Sequence, residues 1–270
     1  MKKNYTTVLT IAGSDGSGGA GIQADLRTFA ALECYGLSVI TAVTSQNTLG
    51  VDDVMVIDSR AVASQFRSIA CDIRIDAVKI GMTGNCRNII TIASLLCEIP
   101  GNPPVILDTV LGSSGGKSFL GTEAITVMKE ELFPLTSMVT PNLPEAAILA
   151  GMEYTPSTTE EIEEAAALIS VSGASSVLVK GGHGTGNLCC DCLLCNDTFS
   201  WYTSEKVETV NTHGTGCTLS SAIAAFMAKG AECRDAVKEA KLFLTEALAA
   251  GAAYRLGSGN GPLHHCYRLW

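Results

Sequence analysis

Short runs of apolar, mostly β-branched residues alternate with segments of helical periodicity, and this alternation restricts the fold of the chain more than any other feature. The runs occupy residues 8–12, 37–44, 77–80, 105–110, 138–140 and 176–179. Near-continuous apolar strands separated by helices are typical of a parallel sheet that is covered on both faces. The sequence therefore predicts an α/β fold with a mostly parallel central sheet. Its 270 residues suit a single domain over residues 1–270.

The pattern changes between residues 188 and 209, where side chains of the two faces of a strand alternate and Asn196-Asp197 has the composition of a turn. This predicts a β-hairpin. Four cysteines at residues 189–195 leave a zinc-binding interaction module, with His183 as a further ligand, as an alternative. The alternation places Cys192 and Cys195 on opposite faces, which argues against that alternative.

The charge balance limits the partners of the chain. It has 27 acidic and 18 basic residues, a net charge of −9, which argues against nucleic acid or an anionic membrane. No stretch approaches the roughly 18 apolar residues of a membrane helix. Eleven cysteines without a secretory leader suit reduced thiols, so we expect a cytoplasmic protein.

Residues 211–221 are the most informative local sequence, because a Gly-Thr-Gly turn leads into a helix that we expect to begin at Cys217. Gly214 and Gly216 permit backbone angles at which amide hydrogens converge, and the helix adds the positive end of its dipole. The turn therefore predicts an anion site. A helix N-terminus can lower a thiol pKa, which makes Cys217 a candidate nucleophile or base. A purely packing role of the thiol is the alternative.

Two other glycine-rich segments follow predicted strands. Gly16, Gly18 and Gly21 match the dinucleotide fingerprint of an oxidoreductase, but the second strand ends in residues 45–47, which include no acid to bind a ribose. A loop around a small substrate is the preferred interpretation. Residues 111–118 end like a phosphate-binding loop but have a leucine in place of its first glycine, which argues against a P-loop ATPase.

Polar residues follow three of the predicted strands. They are Asp108, Asn142 with Glu145, and Lys180. Ligands of open parallel sheets bind beyond the carboxyl ends of the strands. Together with the anion turn, these side chains could arrange a magnesium ion and the phosphates of a nucleotide.

Five ordered motifs occur at residues 13–25, 79–82, 140–146, 179–183 and 211–219. Together they resemble the hydroxymethylpyrimidine/phosphomethylpyrimidine kinases of thiamine biosynthesis, which belong to the ribokinase-like superfamily. The resemblance implies a three-layer αβα sandwich, a homodimer, and ATP with Mg²⁺ as cofactors. It also implies transfer of the γ-phosphoryl group of ATP to 4-amino-5-hydroxymethyl-2-methylpyrimidine, a heterocyclic alcohol, and then to its monophosphate.

The same resemblance implies roles for individual residues. The transfer site would comprise a base and an anion hole, formed by Cys217, Gly214, Thr215 and Gly216. The substrate would be bound by Gln46, which hydrogen-bonds the pyrimidine, and by Gly13, Asp25 and Met82. The nucleotide would contact Asn142, Lys180 and Thr212. Magnesium would be held through water by Asp108 and Glu145.

The chain departs from the family pattern at two places. Residues 111–116 replace the bulky apolar or proline-containing sequence that usually follows the aspartate at 108, and Gly16 stands where serine or proline is frequent. A pyridoxal or pyridoxine kinase is the alternative function. Pyridoxal is also a flat nitrogen heterocycle with a hydroxymethyl group, and similar enzymes phosphorylate it.

Overall fold

Strands with buried residues on both faces form the centre of the protein in a computed structural model, which describes residues 3–112, 119–182 and 187–270. The strands of this described part are Thr7–Asp15 (β1), Tyr35–Asn47 (β2), Gly50–Val56 (β3), Ala77–Ile80 (β4), Val105–Leu107 (β5), Met138–Val139 (β6), Ser176–Val179 (β7), Leu188–Cys195 (β8) and Thr198–Glu205 (β9). They form one sheet in the order β3-β2-β1-β4-β5-β6-β7-β8-β9. The six adjacent strands β2-β1-β4-β5-β6-β7 are parallel to one another. At the two edges, β3 is antiparallel to β2, β8 to β7 and β9 to β8.

Helices connect the parallel strands and cover both faces of the sheet. The α-helices are Gly21–Ala31 (α1), Ser59–Ala70 (α2), Cys86–Leu96 (α3), Thr122–Glu131 (α4), Leu143–Ala150 (α5), Thr159–Ser170 (α6), Thr215–Ala228 (α7) and Cys233–Gly251 (α8). A short 3₁₀ helix spans Phe133–Leu135. No helix among the described residues is long and apolar enough to cross a membrane.

Each face of the sheet has its own hydrophobic core, because successive side chains of a strand point to opposite faces. Ile11 of β1 and Phe66 of α2 belong to the core under α2 to α6. Val8 of β1 belongs to the other core, with Ile223 of α7 and Phe243 of α8. The predicted three-layer αβα sandwich with a mostly parallel sheet is therefore confirmed.

The predicted hairpin is also confirmed, since β8 and β9 pair around Asn196 and Asp197, which both have positive φ. Cys192 and Cys195 belong to opposite cores, so these two thiols cannot share a metal. His183, the further ligand of the zinc alternative, lies outside the described residues, as do residues 113–118 of the segment that resembles a phosphate-binding loop.

The structure differs from the prediction at the edge of the sheet and at the ends of four strands, of which β1 and β2 extend beyond their predicted ends to Asp15 and Asn47. Strand β3 was expected to be helical; it is an edge strand whose residues are all at least partly exposed, so it lacks a periodic apolar pattern. β5 ends at Leu107 rather than at Val110, because Val110 has a φ of 35°, which is incompatible with a strand. β6 ends at Val139, one residue earlier than predicted.

Candidate active site

Side chains that follow the carboxyl ends of β5 and β7 meet at one edge of the sheet. Nζ of Lys180 lies 2.7 Å from Oδ1 of Asp108. A Cβ atom added to Gly216 would lie 3.2 Å from Nζ of Lys180 and 3.4 Å from Oδ2 of Asp108. The first turn of α7 therefore faces this ion pair directly, without a side chain between them.

The turn before α7 has the geometry of an anion site. Gly214 is the N-cap of the helix with a φ of 85°, and Thr215 is the first helical residue. The first turn of a helix leaves backbone N–H groups without partners inside the helix. Cys217 is the third residue of α7, so the expectation that the helix begins at this cysteine is wrong by two residues.

Cys217 is half-buried, and the backbone amide of Gly21 lies near its sulfur. Burial raises the pKa of the thiol to about 11; Lys79 opposes this effect, while Asp25 and Asp108 reinforce it. The expected lowering of the pKa by the helix N-terminus is therefore contradicted, because loss of solvent and two nearby carboxylates outweigh the helix dipole and Lys79. At neutral pH the group is a thiol and can donate a hydrogen bond.

The glycine loop after β1 packs against the turn before α7. A Cβ atom on Gly214 would lie 1.8 Å from the carbonyl oxygen of Gly19, and one on Gly19 would lie 2.3 Å from the His213 ring. These distances are shorter than any real contact. The two loops can approach this closely only because both positions are glycine.

Asp15 fills the centre of the first glycine loop. Its carboxylate accepts hydrogen bonds from the amides of Ser17, Gly19 and Ala20, and Nε2 of His213 lies 2.8 Å from its Oδ2. Burial raises the pKa of Asp15, but the bonds from His213, Ser17 and Ala20 outweigh it and lower the pKa to about 2. The amides that would bind a dinucleotide pyrophosphate are thus occupied by an internal anion, which argues against the oxidoreductase alternative.

Gln46, near the end of β2, reaches the turn before α7. One terminal atom of its carboxamide lies 3.1 Å from Nε2 of His213. The C-terminal segment of residues 257–262 contacts both the end of β2 and the turn before α7. The amide of Asn260 donates to the carbonyl of Thr48, and the amide of His213 donates to the carbonyl of Gly261. Gln46 is partly exposed. It can therefore contact a ligand beside the turn.

The other predicted substrate residues lie at different depths. Gly13 and Met82 are in contact: a Cβ atom on Gly13 would lie 3.2 Å from Sδ of Met82. A Cβ atom on Gly21, whose amide contacts Cys217, would overlap the carbonyl oxygen of Gly13. Gly13 and Met82 therefore lie near the thiol.

Asp25 does not face this space. Its side chain is fully buried, and its carboxylate accepts hydrogen bonds from Lys79, Thr10 and Ser221 at distances of 2.6–3.0 Å. Every bond of the Asp25 carboxylate that the structure shows is internal, and its contact with the substrate stays a prediction. Asp25 joins α1 to α7 through Ser221, which lies one helical turn after Cys217.

Asn142 and Glu145 form a capping box at the start of α5. The Asn142 side chain accepts from the amide of Glu145, and the Glu145 carboxylate accepts from the amides of Asn142 and Leu111 and from the Thr109 hydroxyl. Among residues 3–112, 119–182 and 187–270, no three His, Cys, Asp or Glu side chains cluster as a metal site. Both carboxylate oxygens of Glu145 already accept hydrogen bonds from the protein.

Thr212 is exposed and lies two residues before Gly214. The remaining predicted nucleotide residues converge, since Asn142 and Lys180 form an isolated β-bridge. Carboxylates near Lys180 outweigh the effect of its burial and raise the pKa of its ammonium group, which stays charged at neutral pH.

Four residues of this region were not predicted to have a role. They are Asp15, Lys79, His213 and Ser221. Lys79 had a signal in the sequence, because a cation inside the buried strand β4 needs a partner. His213 and Asp15 come together only through packing of the two loops, which no local pattern reveals.

A parallel αβα sandwich with a helix N-terminus facing a lysine and a carboxylate at its strand ends defines a phosphotransferase for small molecules. A family model described as phosphomethylpyrimidine kinase matches residues 15–264. The chain belongs to this family. It is 44% identical over 262 residues to the hydroxymethylpyrimidine/phosphomethylpyrimidine kinase of Rhizobium meliloti (strain 1021), covering 97% of each chain.

Solved structures with the same ribokinase-like fold include pyridoxal kinases. The ADP complex of Bacillus subtilis pyridoxal kinase matches with a TM-score of 0.88 and 35% identity over 98% of this chain and 99% of that one. Staphylococcus aureus pyridoxal kinase in complex with AMP-PCP and pyridoxal matches with a TM-score of 0.87 and 30% identity, covering 98% and 96% of the two chains. The protein is therefore a kinase by family and by fold.

Proposed function

We propose that this kinase transfers the γ-phosphoryl group of ATP to the hydroxymethyl group of 4-amino-5-hydroxymethyl-2-methylpyrimidine, and then phosphorylates the resulting monophosphate. The observation that carries the proposal is the first turn of α7, which faces the Lys180–Asp108 ion pair across Gly216. Fixed amides and a cation at the point where charge develops are the main requirements of phosphoryl transfer. Full-length similarity to pyrimidine kinases supports this choice of substrate.

The residues beside the turn supply positioning and charge. Lys180 and the amides of residues 214–216 would stabilise the transferred group, and Asn142 and Thr212 would contact the nucleotide. Asp108 and Glu145 would hold Mg²⁺ through water. When bound, Mg²⁺ neutralises phosphate charge.

Cys217 would orient the substrate hydroxyl rather than act as a free thiolate. With a pKa of about 11, only about one thiol in 10⁴ is ionised at pH 7, by the ordinary titration relation. The hydroxyl proton needs to leave only late in a loose transition state. A neutral thiol that donates to or accepts from the hydroxyl is compatible with that timing.

Pyridoxal phosphorylation is the second candidate function. It is supported by the similarity of the fold to pyridoxal kinases at 30–35% identity.

We also propose that the enzyme is a cytoplasmic homodimer with one domain over residues 1–270. Use of ATP and eleven cysteines in the free state suit a reducing compartment. The hairpin of β2 and β3 carries exposed apolar side chains at Leu49 and Met55, which a second copy would cover. Light scattering of the purified protein tests this, and a monomer at micromolar concentration would refute it.

A kinase assay with MgATP tests the proposed function. It compares the pyrimidine alcohol, its monophosphate, pyridoxal and pyridoxine by kcat/KM, and we expect the pyrimidine alcohol to be preferred. Gln46→Ala should raise the KM for the pyrimidine and leave that for ATP nearly unchanged. A wild-type enzyme that phosphorylates none of the four compounds would refute the proposal, and a preference for pyridoxal would establish the second candidate.

A further inference from the structure

His213 makes two polar contacts through one atom. Its Nε2 lies 2.8 Å from Oδ2 of Asp15 and 3.1 Å from the carboxamide atom of Gln46 that is assigned as Nε2, an assignment that the neighbouring groups decide. A neutral imidazole nitrogen carries either a proton or a lone pair. Because Asp15 is ionised at neutral pH and only accepts, Nε2 must carry the proton and donate it. A protonated Nε2 has no lone pair with which to accept from Gln46, so the end of Gln46 that faces it is the carbonyl oxygen, which shares the single N–H with Asp15.

Thr44 leads independently to the same orientation. Its Oγ1 lies 3.0 Å from the carbonyl oxygen of Ser14 and 3.1 Å from the other carboxamide atom of Gln46, assigned as Oε1, so both neighbours as assigned are acceptors. The hydroxyl has a single proton, which the Ser14 carbonyl must receive because that carbonyl cannot donate. Thr44 can therefore only accept from Gln46, so the end that faces Thr44 is the NH₂ group.

We infer that His213, Asp15 and Thr44 are positioning residues that fix the Gln46 carboxamide with its oxygen towards His213 and its nitrogen towards Thr44. Exchange of the amide oxygen and nitrogen does not alter the shape of the side chain, so only these partners decide the orientation. One acceptor position on the oxygen and one N–H on the nitrogen stay available for a ligand.

The fixed carboxamide selects which edge of the substrate ring it binds and which way round that edge lies. This step rests on the proposed function. A 4-aminopyrimidine presents an amino donor beside a ring-nitrogen acceptor, which matches the oxygen and the nitrogen of Gln46. The amino group would then lie on the His213 side. Because the hydroxymethyl carbon is next to the amino carbon, that alcohol would also lie on the side of Gly214 and the anion turn. A reversed carboxamide would direct it away.

The test compares two alcohols of the same shape. The 4-amino substrate presents a donor and then an acceptor, and its 4-oxo analogue, a pyrimidin-4(3H)-one, presents an acceptor and then a donor. We expect the wild type to prefer the amino compound by at least about 100-fold in kcat/KM, as polar sites do when a partner is mismatched. His213→Phe and Thr44→Val each remove one partner of Gln46, so the preference should fall at least about tenfold in either variant.

Thr126→Val on α4 is the matched control, because Thr126 is exposed and the one side-chain hydrogen bond it makes among the described residues goes to Thr122 of its own helix. It should keep the wild-type preference. Calorimetric dissociation constants for both alcohols provide a readout that needs no turnover, and thermal unfolding shows which variants fold. If His213→Phe does not fold, Thr44→Val decides the question. An unchanged preference in the folded variants would overturn this inference alone, whereas a wild type that turns over neither alcohol would refute the proposed function.

Discussion

A methyl group at position 216 should abolish phosphoryl transfer and leave the fold intact. Gly216 is the second residue of α7 and has no positive φ, so alanine fits its backbone. The new Cβ would lie 3.2 Å from Nζ of Lys180, which is tight, but the end of a flexible lysine can move by a few tenths of an ångström. Alanine is also a better helix former than glycine, by up to about 1 kcal/mol. The free energy of unfolding should therefore stay constant or rise slightly.

Activity should respond in the opposite direction. The methyl group would occupy the space between the helix amides and Lys180, where the γ-phosphoryl group must pass in the proposed reaction. Removal of one donor from a comparable anion hole lowers kcat by about 10²–10³, or about 2.7–4 kcal/mol. We expect Gly216→Ala to lose at least about 100-fold in kcat, measured by coupled detection of ADP, with an unchanged urea midpoint.

Two further glycine variants distinguish a block of the transfer site from a loss of stability. Gly121→Ala is a control at the N-cap of α4, where an added Cβ would have no neighbour within 4 Å among the described residues, and it should keep wild-type kcat/KM. Gly214→Ala should instead destabilise the protein by several kcal/mol, since its Cβ would overlap the Gly19 carbonyl oxygen and its φ is left-handed. If Gly216→Ala kept kcat/KM within threefold of the wild type, phosphate would not pass beside this residue and the proposed site would be wrong.

Three further predictions concern ionisable side chains. Cys217→Ala should lower kcat about 100-fold, and single-turnover rates of the wild type should change less than threefold from pH 7 to 9; a tenfold rise per pH unit would identify a thiolate base. Burial, with Arg27 and His264, lowers the pKa of His265 to about 4, whereas about 6.5 is expected in the unfolded chain. Between pH 4 and 6.5 the unfolded chain therefore binds more protons than the folded one, so the free energy of unfolding is highest above about pH 6.5 and decreases by roughly 3 kcal/mol towards pH 4. His265→Gln should flatten this pH profile in urea titrations. An unaltered profile would show that another group causes the pH dependence. Asp25→Ala should lower the free energy of unfolding by about 3–5 kcal/mol, because it leaves the Lys79 ammonium buried without its carboxylate. The double variant with Lys79→Met should recover most of this loss. No recovery would contradict the pairing of Asp25 with Lys79.

The architecture was predictable because its signal is local and repeated. Parallel strands such as β4 and β7 are apolar along their length, and the hairpin of β8 and β9 shows alternation and a turn. Strand β3 escaped prediction for the complementary reason. It lies at the edge of the sheet, has no fully buried residue and depends on pairing with β2, so tertiary contacts rather than sequence pattern define it.

The candidate site was predictable in position but not in electrostatics. The carboxyl-edge rule for parallel sheets located Asp108, Lys180 and the turn at Gly214 correctly near one another. The pKa of Cys217 depends on burial and on Asp25 and Asp108, which reach the thiol from other elements of the fold. No single segment of the sequence contains all of these contributions to the pKa. For this reason the helix N-terminus alone predicted a lowered pKa, whereas the pKa is raised.

The contact between Gly19 and Gly214 also determines when activity can arise during synthesis. The loop around Asp15 leaves the ribosome well before the turn that closes against it, because His213 follows Asp15 by 198 residues. Contacts between segments so distant in sequence form late, because long loops must close first. A nascent chain can thus build most of its sheet while its substrate side is still open. Acquisition of ligand binding would then report that the turn before α7 has closed against the glycine loop.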